Sequence, residues 1–380
     1  MKHSPPVKSK ALRSLLCALL LFILSPLLTG CGPLESQARE VEKLRLAQTL
    51  GLDEAPEGLI LSLASPGQGE ASLCLSAPGP SVSQAMEALG QRGGDRQLFC
   101  GHLQHILLGQ TYAEAGLDGL LAAVCRSPDL RIDMPVYLVL DATARKAMEQ
   151  AGEGEQEVCD QLNGLAVPDG TDLSSAGRIL RDLDRQGSAL IRTLRLEDSP
   201  QAEEKGKVLV PWGFGVLVGK RFLEPLSPEL SPAAELLCGS LRPCPLLLHD
   251  SLGRKVTVEL QGGETELLPL WREDGSLEGI ELRLRVQAAI LEIEGLEQAA
   301  DPRLLDSLRS DLESALSRRV GELLQLSREL QADFLGLGPR LELLSPLRCR
   351  GLGSELGPLL PKLRLRVSVR GELRHSGDLN

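Results

Sequence analysis

The strongest constraint on the fold lies near the C-terminus. In Ile280, Leu282, Leu284, Val286, Ala288 and Ile290 every second residue is apolar, the period of a strand with one buried face. The phase slips afterwards to Leu291 and Ile293, which predicts a bulge. A long helix is expected from Asp301-Pro302 to about residue 333, since Asp at the cap and Pro at the first helical position favour a helix start. Its apolar stripe comprises Leu304, Leu305, Leu308, Leu312, Leu316, Val320, Leu323, Leu324 and Leu330, ended by Gly336, Gly338 and Pro339. A closing strand sets Leu363, Leu365, Val367, Val369 and Leu373 against Lys362, Arg364, Arg366, Arg370 and Arg374. The pattern predicts an α+β layer, an antiparallel C-terminal sheet covered by one long helix. Only nine aromatic residues occur in 380, so Leu, Val and Ile must fill the interior.

The other end bears on location. Lys2, Lys8, Lys10 and Arg13 precede an apolar run over 15–28, LLCALLLFILSPLL. As a helix that run would be about 21 Å long, too short for a hydrocarbon core of about 30 Å. It reads as a cleaved signal (residues 1–30). Leu28-Thr29-Gly30-Cys31 follows and resembles the bacterial lipobox, whose cysteine carries a diacylglycerol. Two acyl chains hold a protein stably on a bilayer where one would not.

Between these ends, residues 31–200 alternate strand and helix patterns, an N-terminal α/β domain. A hairpin is expected around PGQGE, a helix over 81–93 capped by Ser81, one helix over 111–128, a strand over 130–142, and helices over 143–150 and 173–186. Seven prolines between 200 and 245 favour short strands and loops, so a small middle domain is placed at 201–275 and a C-terminal α+β domain at 276–380. The fold class is α+β with α/β character: three domains, mixed sheets and packed helices.

Net charge is −11, and removing residues 1–30 makes the chain more acidic. Phosphate backbones would repel it, so nucleic acid is not an expected partner. Seven cysteines remain beyond Cys17 and Cys31; Cys238 and Cys244 could bridge, but buried free thiols are expected.

LFCGHLQHILLG (98–109) sets Cys100, His102 and His105 close together. A strand would turn Cys100 and His102 to one face and His105 to the other. A helix would bring His102 and His105 together but rotate Cys100 about 200° away from His102. Neither converges three ligands, so a packed strand is expected and no metal site. No G-x-S-x-G, H-E-x-x-H, P-loop or G-x-G-x-x-G is present, and neither enzyme activity nor a cofactor is expected. The basic face of Arg364, Arg366 and Arg370 reads as an exposed sheet face, or as a docking face for an acidic partner or lipid head groups. Asp333, placed in the last helical turn, would oppose the helix dipole; either that turn frays or Asp333 bonds the turn over 334–338.

Several segments recur in the order of one family. LTGC (28–31), GLD (51–53), LFCGHLQHILLG, SPDLRIDMPVYLVLD (127–141) and QADFLGLG (331–338) resemble the Ger(x)C family, lipoprotein C subunits of spore germinant receptors. Gly101, His102, Gly109, Asp333, Gly336 and Gly338 occupy the matching motif positions, and Cys31 the lipidation site. The chain departs at Gly32-Pro33, where many members carry Trp-Asp. The resemblance implies a three-domain, non-catalytic lipoprotein on the outer face of the inner spore membrane. Its partners would be the integral-membrane A and B subunits in nutrient-triggered germination. A solute-binding lipoprotein of an importer is the alternative; it would require two similar α/β lobes around a cleft.

Overall fold

The computed structural model describes residues 44–66, 73–92, 97–152, 157–165, 167, 172–199, 206–250, 253–295 and 302–375. The expected signal segment and Cys31 lie outside these residues. Residues 45–380 form one compact unit.

The chain opens with β1 (Leu44–Leu46), β2 (Thr49–Ala55), β3 (Gly58–Ser65) and β4 (Leu73–Gly79), the last two forming the expected antiparallel hairpin. Helix α1 (Val82–Gln91) follows, and Ser81 Oγ accepts the N–H of Gln84 as its N-cap. Next come β5 (Gln97–Phe99), β6 (His105–Gly109), α2 (Gln110–Ala115), α3 (Asp118–Arg126), β7 (Val136–Val139), α4 (Ala144–Ala151), α5 (Val158–Leu165), α6 (Ala176–Gln186) and β8 (Ser188–Asp198). Strands β9 (Lys207–Val218) and β10 (Arg221–Pro225) complete an eight-stranded sheet of order β10-β9-β8-β7-β6-β2-β3-β4. Its four central strands β2, β6, β7 and β8 are parallel, and the flanking pairs are antiparallel.

Parallel strands bury both faces, which is why HILLG is apolar throughout after its histidine. Ile106 and Leu108 face a core shared with α1, α2, α3 and α6. Leu107 faces the opposite core, built with α4 and α5.

Two expectations here are corrected. The stretch 98–109 is not one strand: it breaks after Phe99, with β5 pairing β1 and β6 entering the large sheet. The Leu103 N–H reaches back to the Cys100 carbonyl, and Phe99 covers Gly101, where a Cβ would lie 2.8 Å from the ring. The single helix expected over 111–128 is two, because Gly116 adopts φ +138°, a left-handed conformation that interrupts the helix.

After β10 comes α7 (Ser231–Leu237), then β11 (Cys244–His249), β12 (Lys255–Trp271), β13 (Leu277–Ile293), α8 (Pro302–Glu329), α9 (Leu337–Leu344), α10 (Leu352–Leu359) and β14 (Arg364–His375). The four-stranded sheet has order β11-β12-β13-β14. The expected bulge is present: Thr257 pairs Glu292 and Val258 pairs Ile290, which leaves Leu291 extra. The long helix lies over this sheet, with Leu308, Leu312, Leu316, Val320 and Leu323 in a core shared with Ile280, Leu282, Leu284 and Val286. The sheet is mixed, however. β11, β12 and β13 are antiparallel, but β14 runs parallel to β13, not antiparallel as expected. A 28-residue helix spans about 42 Å, enough to carry the chain back to the end where β13 began.

Residues 201–275, expected as a middle domain, contribute β9 and β10 to the large sheet and β11 and β12 to the other. Leu190, Phe214 and Val216 of the large sheet share a core with the C-terminal layer. All seven described cysteines are free thiols.

Candidate functional site

The motif residues assemble into two similar devices, each a buried carboxylate at the start of a helix. The first begins with Asp53 on β2, in the GLD segment. Its oxygens accept the backbone N–H groups of Ala144 (2.6 Å) and Arg145 (2.9 Å), the first residues of α4. Thr143 Oγ1 accepts the N–H of Lys146 at 3.1 Å. Three of the four donors that a helix start leaves open are thereby satisfied. Burial pushes the Asp53 carboxyl above its ordinary range, and the two N–H bonds and the Arg145 charge oppose that shift.

Two glycines make room. A Cβ on Gly109 would run into Asp53 Oδ1 and lie 3.3 Å from the Ala144 nitrogen. A Cβ on Gly51 would lie 2.5 Å from Met148 Cε and 3.3 Å from Ala144 Cβ. The glycine closing LFCGHLQHILLG is therefore there for the close approach of β6, Asp53 and α4.

The second device is Asp333. The long helix ends at Glu329, so Asp333 is not in its last turn but stands before α9. The side chain, with no exposed surface, accepts the N–H groups of Leu337 (2.9 Å) and Gly338 (2.6 Å). It thus bonds the turn over 334–338 and sits at the positive end of a helix dipole rather than the negative one. Gly336 has φ +69°, a conformation that costs any other residue more. A Cβ on Gly338 would lie 2.6 Å from the Leu352 carbonyl and 3.1 Å from Asp333 Oδ2, so this glycine lets α9 and α10 meet. Burial pushes the Asp333 carboxyl up to about 7, against the two N–H bonds and the Arg340 charge.

The cysteine and histidines of 98–109 diverge. His102 is exposed, its ring edge-on to Phe99 at 5.7 Å. His105 is buried, with Nε2 2.9 Å from Asn163 Oδ1 on α5, and burial lowers its pKa. Cys100 is buried elsewhere, and its thiol is pushed up to about 11. Among the described residues no group of three His, Cys, Asp or Glu side chains is placed to hold a metal ion. Arg364, Arg366 and Arg370 project from the exposed face of β14.

Two buried charges escaped the sequence reading. Asp172 accepts Arg192 Nη2 at 3.1 Å and the Ser174 N–H at 3.0 Å, and the guanidinium lies 5.3 Å from the Phe214 ring centroid. An arginine inside the otherwise buried run of β8 was the available signal. Asp53 carried a weaker one, an acid in an apolar strand whose partners lie about ninety residues further on.

Both devices hold elements of the scaffold together; their carboxylate oxygens are taken up by backbone donors. Comparison with known proteins agrees with a shared scaffold. Residues 37–190 match the model of the spore germination protein N-terminal domain. No curated protein matches the chain by sequence. Among solved structures, the crystal structure of the GerBC protein superposes with a TM-score of 0.55, at 16% identity, covering 85% of this chain and 96% of that one. The matched segment contains Gly51, Asp53, Gly101, His102 and Gly109, and the structural likeness extends the common fold well beyond it. Residues 37–190 are thus similar to the N-terminal domain of spore germination proteins, and the chain as a whole has the fold of the GerBC protein.

Proposed function

We propose that the chain is a lipid-anchored, non-catalytic subunit of a spore germinant receptor and takes part in nutrient-triggered germination. In this reading Cys31 carries a diacylglycerol, and the body sits on the outer face of the inner spore membrane beside the integral-membrane A and B subunits. The observation that carries it is the N-terminal domain match over 37–190, directly after the LTGC segment at 28–31. Among the described residues no helix is long and apolar enough to cross a membrane, so a covalent lipid supplies the attachment that this reading requires. The motif acids Asp53 and Asp333 serve as helix caps, which favours a scaffolding role for them over a catalytic one. An importer's binding protein would need two similar lobes; among the described residues the two larger sheets have eight and four strands, in unrelated orders.

Deleting the gene in the spore-forming host is expected to abolish or sharply slow germination with at least one nutrient, scored by loss of optical density. Restoring the wild-type gene should return it. Unchanged responses to all nutrients, in a strain also lacking every paralogue, would refute the receptor reading.

A further inference from the structure

We infer that the turn between α9 and α10 seats on the surface of a bilayer containing anionic lipid, its leucines below the head groups and its arginines among them. Residues 343–350 read LLSPLRCR, apolar and basic with no acid. Leu343 is 72% exposed, Leu344 58% and Leu347 98%. Exposed leucines scattered singly are ordinary, but these three fall in one short turn and make a continuous apolar tip.

The tip is held in shape by its own backbone. The carbonyl of Ser345, the C-cap of α9, accepts the N–H groups of Arg348 (3.1 Å) and Cys349 (2.9 Å), and the Ser345 N–H donates to the Leu341 carbonyl at 2.9 Å. Cys349 is buried and pins the far side of the turn, which leaves Leu347 outward between two anchored residues. The Arg348 guanidinium lies 5.4 Å from the ring centroid of Trp271, half-buried at the end of β12. Leucines outermost, with an aromatic ring and exposed arginines behind them, match the layers of a membrane interface.

The chain as a whole is acidic, at −11, but salt confines that repulsion to about 8–10 Å, so the charges at the contact decide. Exposed Arg348 and Arg350 lie there; Glu342 and Glu355, the nearest acids in the sequence, lie outside the turn on either side. An acidic protein would match the arginines alone, whereas a bilayer takes up the arginines and the leucines at their different depths. The contact deepens the membrane reading above and rests on it. By itself so small a tip binds weakly and reversibly, so the lipid on Cys31 remains the anchor.

Because residues 45–380 form one compact unit, the chain from residue 32 onward can be tested without signal or lipid. It is mixed with protein-free vesicles of equal parts phosphatidylglycerol and phosphatidylcholine, and its partition is read by sedimentation. Partition is expected at about 1 mM lipid. Leu347→Asp should weaken it about tenfold or more without changing the melting temperature. Arg348→Gln combined with Arg350→Gln should weaken it about tenfold on these vesicles and leave binding to pure phosphatidylcholine unchanged. Leu247→Asp is the control: that half-exposed leucine pairs with Thr257, about 45 Å along β12 from Trp271, and its loss should change nothing. The inference is overturned if the unaltered chain does not partition, which is also the result if a protein is the true occupant. It is overturned if Leu347→Asp binds like the unaltered chain, or if Leu247→Asp weakens binding as much. Self-association in the ultracentrifuge that Leu347→Asp abolishes would make the turn a contact between copies and overturn it too. None of these results depends on the state of Cys31, so failure here is distinct from failure of the lipid anchor.

Discussion

The Gly109→Ala protein is expected to lose about 3 kcal/mol of stability, the sum of overpacking and disrupted capping. The added methyl has no free direction: it meets Asp53 Oδ1, and the Ala144 nitrogen lies 3.3 Å away. Asp53 cannot swing aside cheaply, because its oxygens hold the Ala144 and Arg145 N–H groups at 2.6 and 2.9 Å. If it moves, two donors at the start of α4 are orphaned in a buried site, at about 1–3 kcal/mol for each buried unsatisfied group. If it stays, the methyl forces β6 away from α4. Gly90→Ala is the control, since its Cβ meets nothing within 4 Å and it lies inside α1. That change should stabilise by up to about 1 kcal/mol through helix propensity. Urea unfolding of the two proteins decides the matter; a loss below about 0.5 kcal/mol at Gly109 would mean that the close approach is not real.

The second large effect is a change of pH dependence. Asp333 is held up near 7 in the folded chain by burial, against about 3.9 when unfolded. Between those values the folded state keeps a proton that the unfolded state has lost. Stability from this group is therefore greatest below pH 4 and declines as the pH rises through 7, by about 4 kcal/mol in all. Asparagine has no such proton, so Asp333→Asn removes the slope. One of its side-chain atoms is an N–H donor facing a donor at Leu337 or Gly338, which costs about 1–3 kcal/mol at every pH. The Asp333→Asn protein should be the less stable at pH 5, and its deficit should shrink as the pH approaches 8. A deficit that stays constant from pH 5 to 8 would show that the buried carboxyl is already ionised in the acid range.

How far the sequence revealed these features depended on the range of the interactions. Alternation from Ile280 to Ile290, the slip at Leu291 and the start at Asp301-Pro302 are local, and the C-terminal strand and helix follow them. The direction of β14 is not local: the same apolar alternation suits a parallel or an antiparallel partner, and the path through α9 and α10 decides. Residues 98–109 look continuous because β5 and β6 are both apolar, and only the fold of Phe99 over Gly101 divides them. Asp53 caps a helix 91 residues away, a pairing no spacing rule displays. Asp333 was nearer, five residues from Gly338, and a bond to the following turn could be anticipated even with the helix end misplaced.

The central claim, that the family's body is held on a bilayer through Cys31, is tested most directly by the mass of the mature N-terminus. Spore membranes from the native host should yield a peptide that starts at Cys31 and carries a diacylglycerol, and Cys31→Ser should release the protein into the soluble fraction. An N-terminal peptide containing an unmodified Cys31, from protein that still sediments with the membrane, would contradict the account.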